Sequence, residues 1–145
     1  MVITFAAVLI GFLALIRPLQ RNGFYILHCA VVILSAYYVE THYFRASAFA
    51  YKTFLLFIVF HFISINLVTI LAYWQDKRAA MRGNWRTPEA ELHTLELLGG
   101  WSGALLAQKL FHHKTKKRSY QSIFWLMLIL QLGIIWFILR FLHLI

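Results

Sequence analysis

The run Asp76-Lys77-Arg78, followed by Trp85-Arg86-Thr87-Pro88-Glu89-Ala90-Glu91-Leu92-His93, then Gly99-Gly100-Trp101-Ser102-Gly103, then His112-His113-Lys114-Thr115-Lys116-Lys117-Arg118, decides how the chain reads. Two hydrophilic motifs flank a short apolar segment that carries three closely spaced glycines. Most of the surrounding sequence is hydrocarbon. Of 145 residues, 61% are hydrophobic and only 13% charged, with mean hydropathy +0.70. A soluble domain has roughly a quarter of its residues charged. Nine of the 14 Lys and Arg lie between Lys77 and Arg118, and four of the five acids between Asp76 and Glu96. Charge concentrated in this way marks the segment expected to carry the function.

Working outward, apolar blocks cover residues 2–16, 24–39, 53–74 and 123–139. A membrane-crossing helix needs about 20 apolar residues, with about 17 sufficient when the flanks help. The last two blocks meet this easily. The first two extend by taking Met1, Leu19 or Tyr43 from the interface, while Arg17 and Arg21 snorkel. The predicted fold is therefore all-α, a polytopic helical membrane protein. The first block has no basic residues before it and is followed by Arg17 and Arg21, which predicts a retained span rather than a cleaved signal. The single Cys29 excludes a disulfide framework. The chain shows no repeat, low-complexity tract or linker, so residues 1–145 read as one integral membrane domain. Its aqueous motifs are too short for a separate soluble catalytic module.

Loop charge sets the expected orientation. Residues 75–91 carry four basic groups, and residues 109–118 carry five with no acid. Lys and Arg near span ends favour the cytoplasm. If residues 92–110 crossed the membrane, the most basic segment would lie outside. That block is short and holds His93, Glu96, Gln108 and three glycines. The preferred reading is four transmembrane helices plus a Gly-rich re-entrant segment, with a short fifth span as the alternative. Gly99, Gly100 and Gly103 would supply its turn or its close-packing face.

Thr87-Pro88-Glu89 reads as a helix start, with Thr87 as N-cap and Pro88 in the first helical position. The helix would place Glu89, His93 and Glu96 on one face. Glu89 and His93 are then candidates for an acid–base pair, or for a divalent metal site with Asp76 and His113. No cofactor is otherwise expected. The 112–118 run reads as a juxtamembrane polybasic cluster. If helical, it would put His113 and Lys117 on one face with Lys114 beside them, donors suited to a phosphate or carboxylate. Asp76 reads as an exposed charge at a span end, as a local partner of Lys77, Arg78 or Arg82, or as a group orienting a lysine or histidine of the second motif. Nucleic acid is not an expected partner, because only Tyr120 lies nearby for stacking. Within the spans, His28, His61 and Asn66 are expected to hold helices together by hydrogen bonds.

The ordered motifs Asp76-Lys77, Arg86-Thr87-Pro88-Glu89, Leu92-His93, Gly99-Gly100 and His113-Lys114-Thr115-Lys116-Lys117 resemble a bacterial membrane family catalogued as domain of unknown function 1294. The resemblance covers about residues 65–132, leaving two additional N-terminal spans within residues 1–52. Thr87 stands where an aliphatic residue is usual, and Tyr120 where Phe is usual. Some members carry an N-terminal cold-shock domain; this chain starts directly in an apolar block, so no nucleic-acid role carries over. The resemblance implies a multi-pass inner-membrane protein with cytoplasmic basic loops.

Three function classes remain. One is a binding rim for an anionic lipid headgroup or lipid-linked phosphate, built from Arg82, Arg86, His113, Lys114 and Lys117 with Lys77 and His93 nearby, and oriented by Asp76 and Glu89. A second is a small membrane enzyme using Glu89 or His93. The third is an accessory subunit, or a homo-oligomer, packing through the 99–103 glycines. The ratio of bases to acids favours binding, since metal-assisted phosphate chemistry gathers more carboxylates.

Overall fold

The computed structural model describes residues 22–43 and 51–141. The expected first span, residues 2–16, and the loop residues 44–50 lie outside these. Every regular element among the described residues is helical: α1 (Gly23–Tyr43), α2 (Tyr51–Arg82), α3 (Glu89–Leu95), a π-helical turn (Glu96–Gly100), α4 (Trp101–Phe111) and α5 (Arg118–Phe141). Among the described residues three segments, Gly23–His42, Leu55–Arg82 and Arg118–Phe141, are long and apolar enough to cross a membrane. Their large side chains stay outside any protein core, as with Leu34, Leu67, Leu126, Ile129 and Phe137. Such faces suit hydrocarbon as the surrounding solvent.

The chain divides into two compact units, Met1–Val68 and Thr69–Ile145, the division falling within α2. In the first, Asn22 caps α1 by accepting the Tyr25 amide at 3.2 Å. His28 is buried and uses both ring nitrogens, Nδ1 with Ser64 Oγ at 2.9 Å and Nε2 with His61 Nδ1 at 3.0 Å. Asn66 donates to the Phe62 carbonyl one turn back in its own helix, at 2.7 Å. The histidines therefore make the expected interhelical bonds.

The second unit is organised by one face of α2. Thr69, Tyr73 and Asp76 are all fully buried. Their spacing of four and three residues stacks them along one stripe of the helix. α2 ends where Gly83 takes a left-handed φ of 68° and the Asn84 amide reaches back to the Ala79 carbonyl at 3.0 Å, a closure in which glycine escapes the Cβ penalty. It therefore runs past Trp74 and the Asp76-Lys77 pair, which sequence reading places at its end.

The segment Glu89–Phe111 doubles back on itself. As a straight helix its ends would stand about 35 Å apart. Instead Glu89, at its start, meets Lys114, just beyond its end, at 3.2 Å. Its middle lies against α5, where Gln131 donates to the Glu96 carbonyl at 2.9 Å. The reversal occurs at Gly99, whose φ of 109° breaks the helical path. Gly100 then packs onto α2: a Cβ there would collide with the Thr69 side chain and come within 2.8 Å of the Leu95 carbonyl. Two of the three predicted glycines thus have distinct duties, one conformational and one steric.

The start of α3 differs from expectation. Pro88 is itself the N-cap, with an extended ψ of 139°, and no side chain caps the helix. Its carbonyl accepts the Glu91 amide at 3.0 Å, so Glu89 rather than Pro88 takes the first helical position, and Thr87 stands outside.

Candidate functional site

Side chains from α2, α3, the turn after α4 and the start of α5 meet in two polar layers. The outer one centres on Asp76, which is fully buried yet ionic. Its Oδ2 accepts from His113 Nε2 at 2.8 Å and lies 3.4 Å from Lys114 Nζ. Arg86 approaches both oxygens at 3.3–3.4 Å. Lys114 is itself 4% exposed and continues to Glu89 at 3.2 Å, with its ammonium 4.6 Å from the Tyr120 ring centre. Lys117 Nζ closes the layer on both Glu89 oxygens, at 2.9 and 2.8 Å. Lys117, then Lys114, hold the Glu89 carboxyl below its ordinary pKa, against a smaller opposing effect of burial.

The helical alternative for residues 112–117 does not form. His112 and Lys114 both adopt left-handed backbone, with φ of 47° and 61°. The His113 amide reaches the Gln108 carbonyl at 3.3 Å, which ends α4. His113 and Lys117 consequently diverge, one to Asp76 and the other to Glu89. Left-handed conformation costs a side-chain-bearing residue about 1–2 kcal/mol. Ion pairs to Asp76 and Glu89 fix Lys114 in this backbone, and strain held in this way clusters at functional sites.

The inner layer lies one turn deeper. Glu96 is 1% exposed. Its Oε1 receives Tyr73 and Tyr120, each at 2.5 Å, and its Oε2 receives His93 Nδ1 at 2.6 Å. Gln108 donates to the Tyr73 hydroxyl at 3.1 Å, and Gln121 donates to Gln108 at 2.6 Å and to the Lys114 carbonyl at 3.0 Å. His93 also stacks on Tyr120, ring centres 4.2 Å apart. Among the described residues, no buried side-chain nitrogen or oxygen lacks a partner.

Over the outer layer opens a cleft of about 560 Å³, lined by Arg86, Glu89, His112, His113, Lys114, Thr115, Lys116 and Lys117. Four formal cations face it with one carboxylate.

Residues 66–120 match the family described as protein of unknown function (DUF1294). The matched stretch contains all the outer-layer residues and the inner Tyr73, His93, Glu96, Gln108 and Tyr120. It omits His28 and His61. No curated protein and no solved structure matches the chain.

Several sequence expectations need correcting. Asp76 is no exposed charge at a span end: it faces the hairpin and is wholly enclosed. Glu89 and His93 do not pair, because Glu89 turns to the lysines and His93 to Glu96. Of the candidate metal set Asp76, Glu89, His93 and His113, only Asp76 and His113 meet, while Glu89 and His93 go to other partners. Among the described residues no three His, Cys, Asp or Glu side chains converge as metal ligands. Lys77 and Arg82 do not line the cleft. At 100° per residue, Arg82 lies about 120° round α2 from Asp76 and is exposed, whereas Lys77, four residues after Tyr73, borders the stripe and is half-buried. The inner layer was missed except for His93 and the position of Glu96. Its available signal was the Thr69–Tyr73–Asp76 spacing, a polar stripe along an otherwise apolar helix.

Proposed function

We propose that the protein is a multi-pass inner-membrane protein of bacterial type that binds a phosphate-bearing anion in the cleft above Asp76. The observation that carries this reading is the cleft itself: Arg86, Lys114, Lys116 and Lys117, with His112, face a single carboxylate. Diffuse attraction of basic residues to an anionic bilayer is worth about 1 kcal/mol each near the surface and needs no defined loop. Here the Lys114 ammonium is set between Asp76 and Glu89 from a left-handed turn, and donors placed in this way suit charge-assisted bonds to one anion. The ligand class is a phosphate group, whether on a lipid headgroup, on a lipid-linked carrier or free.

In this reading the hairpin 89–111 is re-entrant: it enters and leaves on the face bearing the cleft, so both basic motifs stay cytoplasmic. With the apolar block at residues 2–16 as a further crossing, four spans accompany it. The polar inner layer then sits at membrane depth inside the protein, where hydrogen-bonded polar groups are tolerated.

Native mass spectrometry of the detergent-solubilised chain tests the site, using short-chain phosphatidate, phosphatidylcholine and inorganic phosphate as probes. His112→Ala with Lys116→Ala removes two exposed cleft donors that take no part in the ion pairs on Asp76 and Glu89. Retention of a phosphate probe is expected to fall about tenfold, the equivalent of one charge-assisted hydrogen bond. Unchanged retention in the double variant would refute the cleft as the site.

A further inference from the structure

Two carboxylates serve the same group of cations in unlike ways. Asp76 has no exposed surface, and Arg86 from the loop after α2 surrounds it together with the adjacent His113 and Lys114 from the turn after α4. Glu89 is 37% exposed, lies in the cleft wall, and presents both oxygens to Lys117, which is 54% exposed. It is the first residue of α3, so rotation of its side chain alone would release Lys117 and one contact of Lys114, with no backbone movement.

Resting on the anion-binding reading above, we propose that Glu89 is an intramolecular stand-in for the ligand. Its carboxylate fills the acceptor position of the incoming phosphate, which displaces it from Lys117 and Lys114. An ammonium set between two carboxylate oxygens at 2.8 and 2.9 Å is placed as it would be between two oxygens of a phosphate. Lys114 does not follow Glu89 away, because Asp76 still holds it at 3.4 Å. The cation frame therefore survives the exchange. A terminal phosphate monoester is the class that gains most. It offers three acceptor oxygens and close to two negative charges where Glu89 offers two oxygens and one charge. A phosphodiester or a carboxylate ligand replaces Glu89 without that gain.

The opposite role is that Glu89 orients Lys117 for the ligand, and the two roles differ in sign. Titrations at pH 7 would compare the native chain, Glu89→Gln and Glu89→Asp, using inorganic phosphate, short-chain phosphatidate and short-chain phosphatidylglycerol. Thermal midpoints would confirm that each variant is folded. For a stand-in, Glu89→Gln binds phosphate or phosphatidate about tenfold more tightly, since one competing charge-assisted contact is gone. Glu89→Asp, which keeps the charge but shortens the reach, falls between. Phosphatidate retained over phosphatidylglycerol supports the monoester class, and phosphatidate over inorganic phosphate names the lipid as its source. Retention by the native chain that weakens in Glu89→Gln overturns the stand-in alone and leaves the anion site standing. If neither protein retains any probe, the anion-binding reading fails and the stand-in with it.

Discussion

The outer and inner layers of the second unit are built from neighbouring turns of the same helices, yet they treat charge differently. Around Glu96 every partner is buried, and each oxygen is taken by a tyrosine hydroxyl or an imidazole. Around Glu89 the partners are lysines, one of them half-exposed, beside an open cleft. Asp76 sits between: it belongs to the outer layer by position and to the inner by burial. Depth therefore separates groups that hold the hairpin closed from a group free to change partners. The tests below are ordered to break that distinction at its strongest point first.

Asp76→Ala should have the largest effect. It leaves Lys114, 4% exposed, and the buried His113 without their shared acceptor. Removing one member of a buried ion pair costs about 3–5 kcal/mol, chiefly because the other charge stays buried. Chemical denaturation in detergent would read the loss. A cost below about 1 kcal/mol, as for exposed pairs, would mean that the outer layer is ionic decoration and depth does not divide the site.

Tyr73→Phe comes next and probes the inner layer without adding or removing charge. The hydroxyl lost touches Glu96, Tyr120 and Gln108. Glu96 keeps Tyr120 and His93, so only the Gln108 amide loses an acceptor. About 1–3 kcal/mol of destabilisation is expected for a buried polar group left without its partner. Because the tyrosine lies outside the cleft, anion retention in folded protein should stay within about twofold, a shift well under the 1.4 kcal/mol of a tenfold change. A large loss of retention with unchanged stability would show that the inner layer takes part in binding.

How much of this was legible beforehand depends on whether a residue's partner is near in sequence. The helical membrane class follows from apolar blocks that any helix exposing them to lipid must show. The glycines at 99 and 100 announced a reversal, because few other residues permit a φ of 109° or an approach as close as that to Thr69. The pairing of Asp76 with the second basic motif was one of three open alternatives, for the sequence separates Asp76 from His113 by 37 residues. The inner layer was the least legible. Tyr73, Gln108 and Tyr120 look like interfacial or core residues one at a time, and only the hairpin brings them to Glu96. The helical spacing of His113 and Lys117 misled because two side-chain-bearing residues accept left-handed backbone, which propensity disfavours and ion pairs to Asp76 and Glu89 stabilise.

The smallest effect belongs to Glu89, and its sign is the sharpest test of the comparison. Its carboxyl is held below the ordinary value of 4.5 by Lys117 and Lys114. A carboxyl whose folded pKa is depressed contributes stability that is fully present above the unfolded value. That contribution is lost as pH falls through the folded one. Glu89→Gln should therefore cost little at pH 7, under about 1 kcal/mol, since the pair is partly exposed and screened by solvent. The stability difference between native and variant should shrink as pH is lowered through 4.5 and below. Glu91, whose carboxyl burial pushes upward, changes in the opposite direction, but identically in both proteins, so it cancels in the difference. A gap that instead widens on acidification would mean that Glu89 is better held when protonated. Lys117 would then be no ionic partner for it, and the contrast between an exchangeable rim and a fixed interior would lose its chemical basis.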